Sequence, residues 1–359
     1  MKAHSSESPI SRSISLKNHQ NDLDKLKFDR KIKYSAKLVG RKRVKRSIAV
    51  PSDQFSDPLW SKSWYLSMEN QLSMKIVEAW NMGFTGHNVT ITVIDDGLEI
   101  DHPDIAPNYD PEASWDSIDD DPEPIPLYDE LSTNNHGTRC AGVAAGVANN
   151  SMCSVGVAFG ARVGAVRMLH DGDIHDADEA GALSFNRDHV DIYSISWGPD
   201  DDGVTVEGPR ELTVKALEEG ARYGRQGKGN IFVWASGNGG LYSDSCACDG
   251  YSNSIYTISV GSISEYGTKP WYSEECSSIL VSTLSSSSNY YRQISSADIG
   301  GQCTEHFSGT SASTSIATGI IALALEANTN LTWRDVQHLL ISTANTDALN
   351  GDPTWQTNS

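Results

Sequence analysis

The sequence has no long hydrophobic run. Its best apolar stretch, GIIALALEA from Gly319 to Ala327, is about half of the ~20 residues that cross a bilayer, so it reads as part of a core helix. The first residues, MKAHSSESPISRSIS, lack the apolar segment of a secretory signal, and no targeting or membrane-spanning segment is expected in this chain. Positive charge is scarce outside one place. Residues 1–46 carry 14 Lys/Arg against 4 Asp/Glu, which leaves 14 against 43 for residues 47–359. A body so rich in carboxylates repels phosphates, which argues against nucleic-acid binding and favours a cationic ligand or bound metal cations. Cysteine is sparse too, six in 359 residues. Six cysteines allow disulfides or buried thiols, and their spacing leaves any connectivity open. There is no internal repeat.

What is present is unevenly distributed. The basic excess peaks in RKRVKR, Arg41 to Arg46, a kind of run that ordinarily marks a nuclear address or a solvated tail. Residues 1–46 are polar with only short apolar patterns, and are expected to form a leader separate from a domain at 47–359. In that domain NVTITVIDD (Asn88–Asp96), ARVGAVRML (Ala161–Leu169), VDIYSIS (Val190–Ser196) and NIFVWAS (Asn230–Ser236) each read as a buried strand. Helical stretches open at His136 and Glu211, and TWRD (Thr332–Asp335) is a capping box that starts another. This alternation predicts an α/β fold with a parallel sheet flanked by helices on both faces. Ligands of such folds bind at the carboxyl ends of the strands. Two segments are biased towards acids, Asp116–Glu130 and Asp171–Glu179, and the Ser-rich stretch Ser282–Ser288 is expected to be a surface loop.

The first predicted strand ends in Asp95-Asp96-Gly97, which puts Asp95 at the ligand edge of the sheet. NNHGTRCAG places His136 at the start of a helix of small residues, and SGTSAS places Ser311 at the start of another. A serine hydroxyl attacks only once a base takes its proton, and the base needs a buried carboxylate to hold its tautomer. Asp95, His136 and Ser311 fit those three roles in the chain order Asp, His, Ser. Each short motif alone is a common turn or cap. A fourth element adds weight: Asn238 in WASGNGG lies just past the strand ending at Ser236. Its side-chain amide and the Ser311 backbone N–H can form an oxyanion hole.

With these motifs stand HGTRCAG, SWGPDDDG, CDGYSNSIYT, PWYSEECSS and NLTWRDVQHL. From about Pro51 onward the chain resembles the kexin and furin-like proprotein convertases. These are calcium-dependent, subtilisin-type serine proteases that cut secretory precursors after paired basic residues. The resemblance implies a subtilisin-like fold and a set of roles. Asp201, Asp244 and Glu274 match a calcium site beneath the S1 pocket, with Asp249 at the pocket base to pair with the P1 arginine. Trp197 and Gly198 join the substrate-binding set, Glu179, Glu207 and Tyr251 match positions around S4, and Asp96 matches one carboxylate of S2. Asp57, Asp104 and Asn150, with the carbonyls of Val147, Met152 and Ser154, match a second calcium site, and Asp116, Asp121 and Glu123 a third. It also implies the pairs Cys153–Cys303 and Cys246–Cys276, leaving Cys140 and Cys248 free. The physics agrees, because clustered carboxylates need a cation and calcium takes such oxygen ligands. A carboxylate in a pocket selects Arg or Lys because other partners leave it unpaired.

Several positions depart from the family. Thr314 and Ser315 stand where Ala and Pro are usual after the nucleophile; the change removes the proline's preorganisation and is expected to crowd the packing behind Ser311. Thr133 replaces a second S2 aspartate, so selection for a basic P2 residue is expected to weaken. His306 and Phe307 alter the approach to Ser311, His170 is an insertion near the S4 acids, and Glu207 and Glu123 replace aspartates. Against the family's length, the chain is expected to hold a partial prodomain and to stop before the end of the catalytic domain and a P domain. The resulting reading is a monomeric, calcium-dependent endoprotease of the secretory pathway, with basic-motif precursors as substrates and its own prodomain as inhibitor. The alternative is an inactive truncated convertase or a non-catalytic binder of basic peptides. On the first reading RKRVKR is the enzyme's own substrate: Arg43-Val44-Lys45-Arg46 is Arg-X-Lys-Arg, to be cut between Arg46 and Ser47.

Overall fold

Strands apolar on both faces can border only protein, and here they align side by side. The computed structural model describes residues 54–346 and 349, apart from 69–71, 130–132, 171, 173 and 288–290. Arg43, Lys45, Arg46 and Ser47 lie outside the described residues. Seven strands form one sheet: β1 (Thr90–Asp95), β2 (Trp115–Asp116), β3 (Arg162–Arg167), β4 (Ile192–Ile195), β5 (Ile231–Ala235), β6 (Thr257–Ile263) and β7 (Ile279–Leu284). Their order is β2-β3-β1-β4-β5-β6-β7, and every neighbouring pair is parallel. β1 is flanked by β3 on one side and β4 on the other, so the chain changes direction across the sheet there. The crevice that such a reversal opens lies at the carboxyl ends of the strands. A separate antiparallel hairpin, β8 (Ile294–Asp298) and β9 (Gln302–Phe307), leads into the longest helix.

Alternate residues of the strands enter two different cores. Ile91, Val93, Val163 and Val233 pack with Trp80 of α1 (Ile76–Asn81), Val143 of α2 (His136–Ala145) and Ile316 and Ile321. Ile94, Val166, Phe232 and Trp234 face the other way, onto Leu183 of α3 (Asp176–Ser184) and Leu217 of α4 (Glu211–Gly227). Ile316 and Ile321 belong to α5 (Gly309–Ala327), the helix whose apolar length is taken up by the core: most of its residues are buried. The last helix, α6 (Trp333–Thr343), starts at the expected capping box, Thr332 with Asp335. The architecture is thus the predicted α/β sheet with helices on both faces.

Two compositionally biased segments take regular structure, one of them against expectation. The acidic stretch before Glu179 forms helix α3, because Asp176 and Asp178 occupy its first turn, where carboxylates meet the positive helix end. The Ser-rich stretch is no surface loop at its start: Ser282 to Leu284 complete β7, and Ser285 and Ser286 are buried. The hydroxyls of Thr283 and Ser285 find partners on the helix that carries Ser311, which sequence pattern alone does not reveal. The Thr283 hydroxyl donates to the Ser313 carbonyl at 2.8 Å and that of Ser285 to the Gly309 carbonyl at 3.0 Å. Cys153 is bonded to Cys303 of β9 and Cys246 to Cys276, with Cys140 and Cys248 free.

Candidate active site

The crevice is built from strand ends. Asp95 closes β1 with its side chain 1 % exposed, and the His136 ring opens α2 at 33 %. The His136 Nδ1 lies 2.9 Å from both Asp95 oxygens. With Nδ1–H donated to the carboxylate, Nε2 is left as the acceptor, which is the state a general base requires. Burial alone would depress the imidazole; the charge of Asp95 and the Cys140 thiol, whose Sγ is 3.9 Å from Nδ1, together raise it well above the usual histidine value. Gly137 has to be glycine: a Cβ there would stand 2.3 Å from the Gly97 carbonyl oxygen.

Ser311 sits in the first turn of α5 and is tied to the other elements through its neighbours. Phe307, the last residue of β9, packs edge-on against the His136 ring with centroids 5.7 Å apart. Thr310 donates its N–H at 2.9 Å and its hydroxyl at 3.1 Å to Asn238 Oδ1. That double grip consumes the carbonyl end of the Asn238 amide and leaves its NH2 as the donor end. Gly309 takes φ +89°, and a Cβ on it would come 3.2 Å from Asn238 Oδ1, so the turn before the nucleophile is shaped around that amide. Thr310 is a member of the site that motif reading passed over; its signal was its place between Gly309 and Ser311. Thr314 and Ser315 do not crowd the helix. Their hydroxyls donate back to the Thr310 and Ser311 carbonyls at 2.8 and 3.0 Å, within the helix's own turn.

Beyond Asn238 lies an acidic pocket. Asp249 accepts the Tyr251 N–H at 2.7 Å, and burial pushes its carboxyl up to about 6. Gly198, after β4, leaves room above it: a Cβ there would be 3.3 Å from Asp249 Oδ2. Trp197, Trp234 and Tyr251 wall this side, with centroids 4.8 to 5.6 Å apart. The Tyr251 hydroxyl donates to Glu179 at 2.8 Å, and the backbone at Glu207 pairs with that at Asp249. Asp96 is placed differently from a free subsite anion: it is buried and accepts the N–H groups of His136 and Gly137 at 2.9 and 2.7 Å. Burial, then the neighbouring Asp95 charge, pushes its carboxyl up to about 7.

Three acids adjoin the Asn238 turn. Oxygens of Asp201, Asp244 and Glu274 all lie within 4.8 Å of one another, and burial, reinforced by the two aspartates, pushes Glu274 up to about 8. Such mutual repulsion fits a hard divalent cation. Two of these acids also hold the turn: Asn238 N–H donates to Asp201 at 2.7 Å and Gly239 N–H to Glu274 at 3.0 Å. The Asp57 and Asp104 pair fits a cation as well, since Asp57 Oδ1 and Asp104 Oδ2 are buried without a hydrogen-bond partner. Asp104 is pushed up to about 7 by burial. The Ser154 carbonyl shares this neighbourhood, each oxygen lying within 3.4 Å of where a Gly146 Cβ would be. Val147 N–H donates to the Asp104 carbonyl at 2.9 Å. Asn150 donates its amide NH2 to Asp104 at 2.9 Å, and its oxygen accepts the Met152 N–H, also at 2.9 Å. The third implied site fits less well. Asp116 is met by Arg167 at 2.5 Å, its other oxygen accepts the Ile118 N–H, and Asp121 accepts the Glu123 N–H. The guanidinium occupies the role given to a metal there.

Residues 86–358 match the family described as "Subtilase family". The chain belongs to the subtilase family. This subtilase is 51 % identical over 344 residues to mouse (Mus musculus) furin, 96 % of the chain and 43 % of that protein. It is 54 % identical over 309 residues to furin-like protease 1, isoform 1-CRR, of Drosophila melanogaster, 86 % of the chain and 28 % of the relative. The human (Homo sapiens) protein named proprotein convertase subtilisin/kexin type 5 is 51 % identical over 342 residues, 93 % of the chain and 18 % of that protein. The chain thus spans less than half the length of these relatives. Among solved structures, the serine protease of Aeromonas sobria superposes with a TM-score of 0.73 at 21 % identity, over 86 % of this subtilase and 62 % of that chain, which shows a shared fold.

Proposed function

We propose that this subtilase is a calcium-dependent serine endoprotease that cuts protein precursors after paired or multiple basic residues. The observation that carries the reading is one strand edge holding both parts of it: the Asp95–His136 pair with the Asn238 amide held by Thr310, and the Asp249 pocket beside them. In the reaction His136 Nε2 takes the proton of the Ser311 hydroxyl as its oxygen attacks the carbonyl carbon after the P1 residue. Asn238 NH2 and the Ser311 N–H receive the developing oxyanion. His136 then returns the proton to the leaving amine, and water repeats the sequence on the acyl-enzyme. Asp249 pairs with the P1 guanidinium, and Glu179 and Glu207 suit a basic residue further upstream. Calcium, when bound by Asp201, Asp244 and Glu274 or by Asp57 and Asp104, supplies neutralising charge. The former set keeps the Asn238 turn in place through its own backbone bonds. A relative named proprotein convertase supports precursors as the substrate class; a secretory-pathway setting and an inhibitory prodomain ending at Arg46 complete the reading. The hydroxyl bonds of Thr314 and Ser315 favour no inactive form.

Asp249 gives a pH test with a definite sign. A carboxyl raised by burial to about 6 is neutral below that pH and charged above it. The affinity of a small cationic P1 mimic such as benzamidine is therefore expected to rise with pH across about 6 and to level off, and Asp249→Asn is expected to flatten the curve. An inhibition constant that is flat between about pH 5 and 7.5 in the unsubstituted protein contradicts the pocket assignment.

The calcium reading has a stability test. A cation present at about 100 times its Kd that binds only the folded chain contributes about 2.7 kcal/mol, and each kcal/mol is worth about 2–4 °C in a domain of this size. Chelation is expected to lower Tm by about 5–10 °C per site. Asp104→Asn removes one orphaned buried oxygen's charge and is expected to shrink the response. A Tm indifferent to chelator and to added calcium rules the ion out.

A further inference from the structure

Glu99 is a buried carboxylate, 5 % exposed, that the reaction described above does not use. The donors that meet it are two main-chain N–H groups and a phenol. Gly300 N–H donates to Oε2 at 2.5 Å and Gly301 N–H to Oε1 at 2.6 Å. Tyr128 OH donates to Oε2 at 3.1 Å. Burying a carboxylate is costly unless hydrogen bonds replace its water, and successive N–H groups of a turn can converge on one anion. The turn in question joins β8 to β9, where Asp298 faces Gln302. Gly300 and Gly301 take φ +74° and +66°, a left-handed pair that favours glycine.

The backbone of Glu99 is fixed as well, its N–H donating to the Thr138 hydroxyl at 3.0 Å. Glu99 follows Asp95 by four residues, and Thr138 follows His136 by two. Glu99 therefore joins three pieces: the end of β1 with Asp95, the start of α2 with His136, and the hairpin that runs through Phe307 into α5 and Ser311. α2 also holds this hairpin directly. Arg139 donates to both oxygens of Asp298, at 3.0 and 2.7 Å, and the Ser296 hydroxyl donates to the Arg139 carbonyl at 2.6 Å. A hairpin that moved would carry with it Phe307, which packs on the His136 ring, and the turn that presents Ser311. We infer that Glu99 is a positioning residue for the nucleophile: by holding the Gly300–Gly301 turn to the elements of Asp95 and His136, it sets where Ser311 meets the base. The inference rests on the protease reading above and adds to it a residue that touches neither the substrate nor the reacting atoms.

The test compares the full-length protein with Glu99→Gln. The amide keeps one acceptor oxygen and sets an NH2 against the other turn N–H, so the double grip is lost. A misplacement of about 1 Å caused far from the chemistry costs as much as about 100-fold. With an Arg-Ser-Lys-Arg fluorogenic peptide, kcat per active site is expected to fall about 10- to 100-fold with KM little changed. The rate at which a small fluorophosphonate labels Ser311 should fall with it, and the end point of that labelling counts the active sites. The inhibition constant of benzamidine, which reads the Asp249 pocket on other elements, should stay as it is. Glu99→Asp keeps both acceptors with one methylene less reach and should lose less; it reads the same grip where Glu99→Gln does not fold. A kcat and labelling rate per site unchanged in both variants, or a loss matched by weaker benzamidine binding, overturns the positioning role. Labelling that depends on Glu99, in a protein that cuts no peptide, upholds the role and removes the endoprotease reading instead. Unsubstituted protein that neither cuts nor labels removes both.

Discussion

Hydrolysis of an Arg-X-Lys-Arg peptide by Ser311→Ala protein is expected to fall about 10⁶-fold, the magnitude seen when the subtilisin nucleophile is removed. The size follows from the division of labour. Asp95 and His136 are bonded to each other whether or not the hydroxyl is present, yet a base with no nucleophile to deprotonate does nothing for the barrier. What survives is transition-state stabilisation by Asn238 and the peptide subsites. Ser311 is buried in the first turn of α5, and alanine is the better helix former, so the substitution leaves folding intact. The same variant reports on the basic run near the N-terminus: the unsubstituted protein is expected to yield a chain beginning at Ser47, and Ser311→Ala to remain uncut after Arg46. N-terminal sequencing separates the two. Equal cleavage at Arg46 in both proteins assigns that cut to another protease, and equal peptide hydrolysis removes Ser311 from its role.

Asn238→Ala is the second large effect, about 10²–10³ in kcat, or about 2.7–4 kcal/mol, the range set by the oxyanion asparagine of subtilisin. KM should change little, because the amide meets charge that exists only in the transition state. Alanine also strands the Thr310 N–H and hydroxyl, which donate to Asn238 Oδ1, at a stability cost of about 1–3 kcal/mol. Asn238→Asp separates these contributions. It keeps an acceptor for Thr310 and removes the donors, so stability should recover while kcat stays low. A kcat restored by Asn238→Asp contradicts the donor role.

Four of the strands and the candidate catalytic residues were legible in the sequence for different reasons. β1, β3, β4 and β5 announce themselves as short β-branched runs because both of their faces are buried, one onto Ile316 and Val143 and the other onto Trp234 and Leu217. Asp95, His136, Ser311 and Asn238 were legible through local motifs at element ends. β7 was not, because Ser282, Thr283 and the serines after it resemble a loop until α5 covers them, its backbone accepting the hydroxyls of Thr283 and Ser285. The grip of Thr310 on Asn238 spans 72 positions and that of Asp201 on the Asn238 N–H spans 37. Neither distance has a local signature. Asp96, which the resemblance implies for S2, also anchors the first N–H groups of α2, a contact without a local signature. The contact of Asp116, a metal ligand by resemblance, with Arg167 on a neighbouring strand likewise has no local signature.

The central claim joins a serine nucleophile to an arginine-selecting pocket. It is tested most directly by incubating the full-length protein with calcium and a precursor-like peptide containing one Arg-X-Lys-Arg, and mapping the products by mass. A single cut on the carboxyl side of the last arginine, lost in Ser311→Ala and weakened in Asp249→Asn, is the predicted result. An intact peptide, or cuts after residues that are not basic, contradicts it.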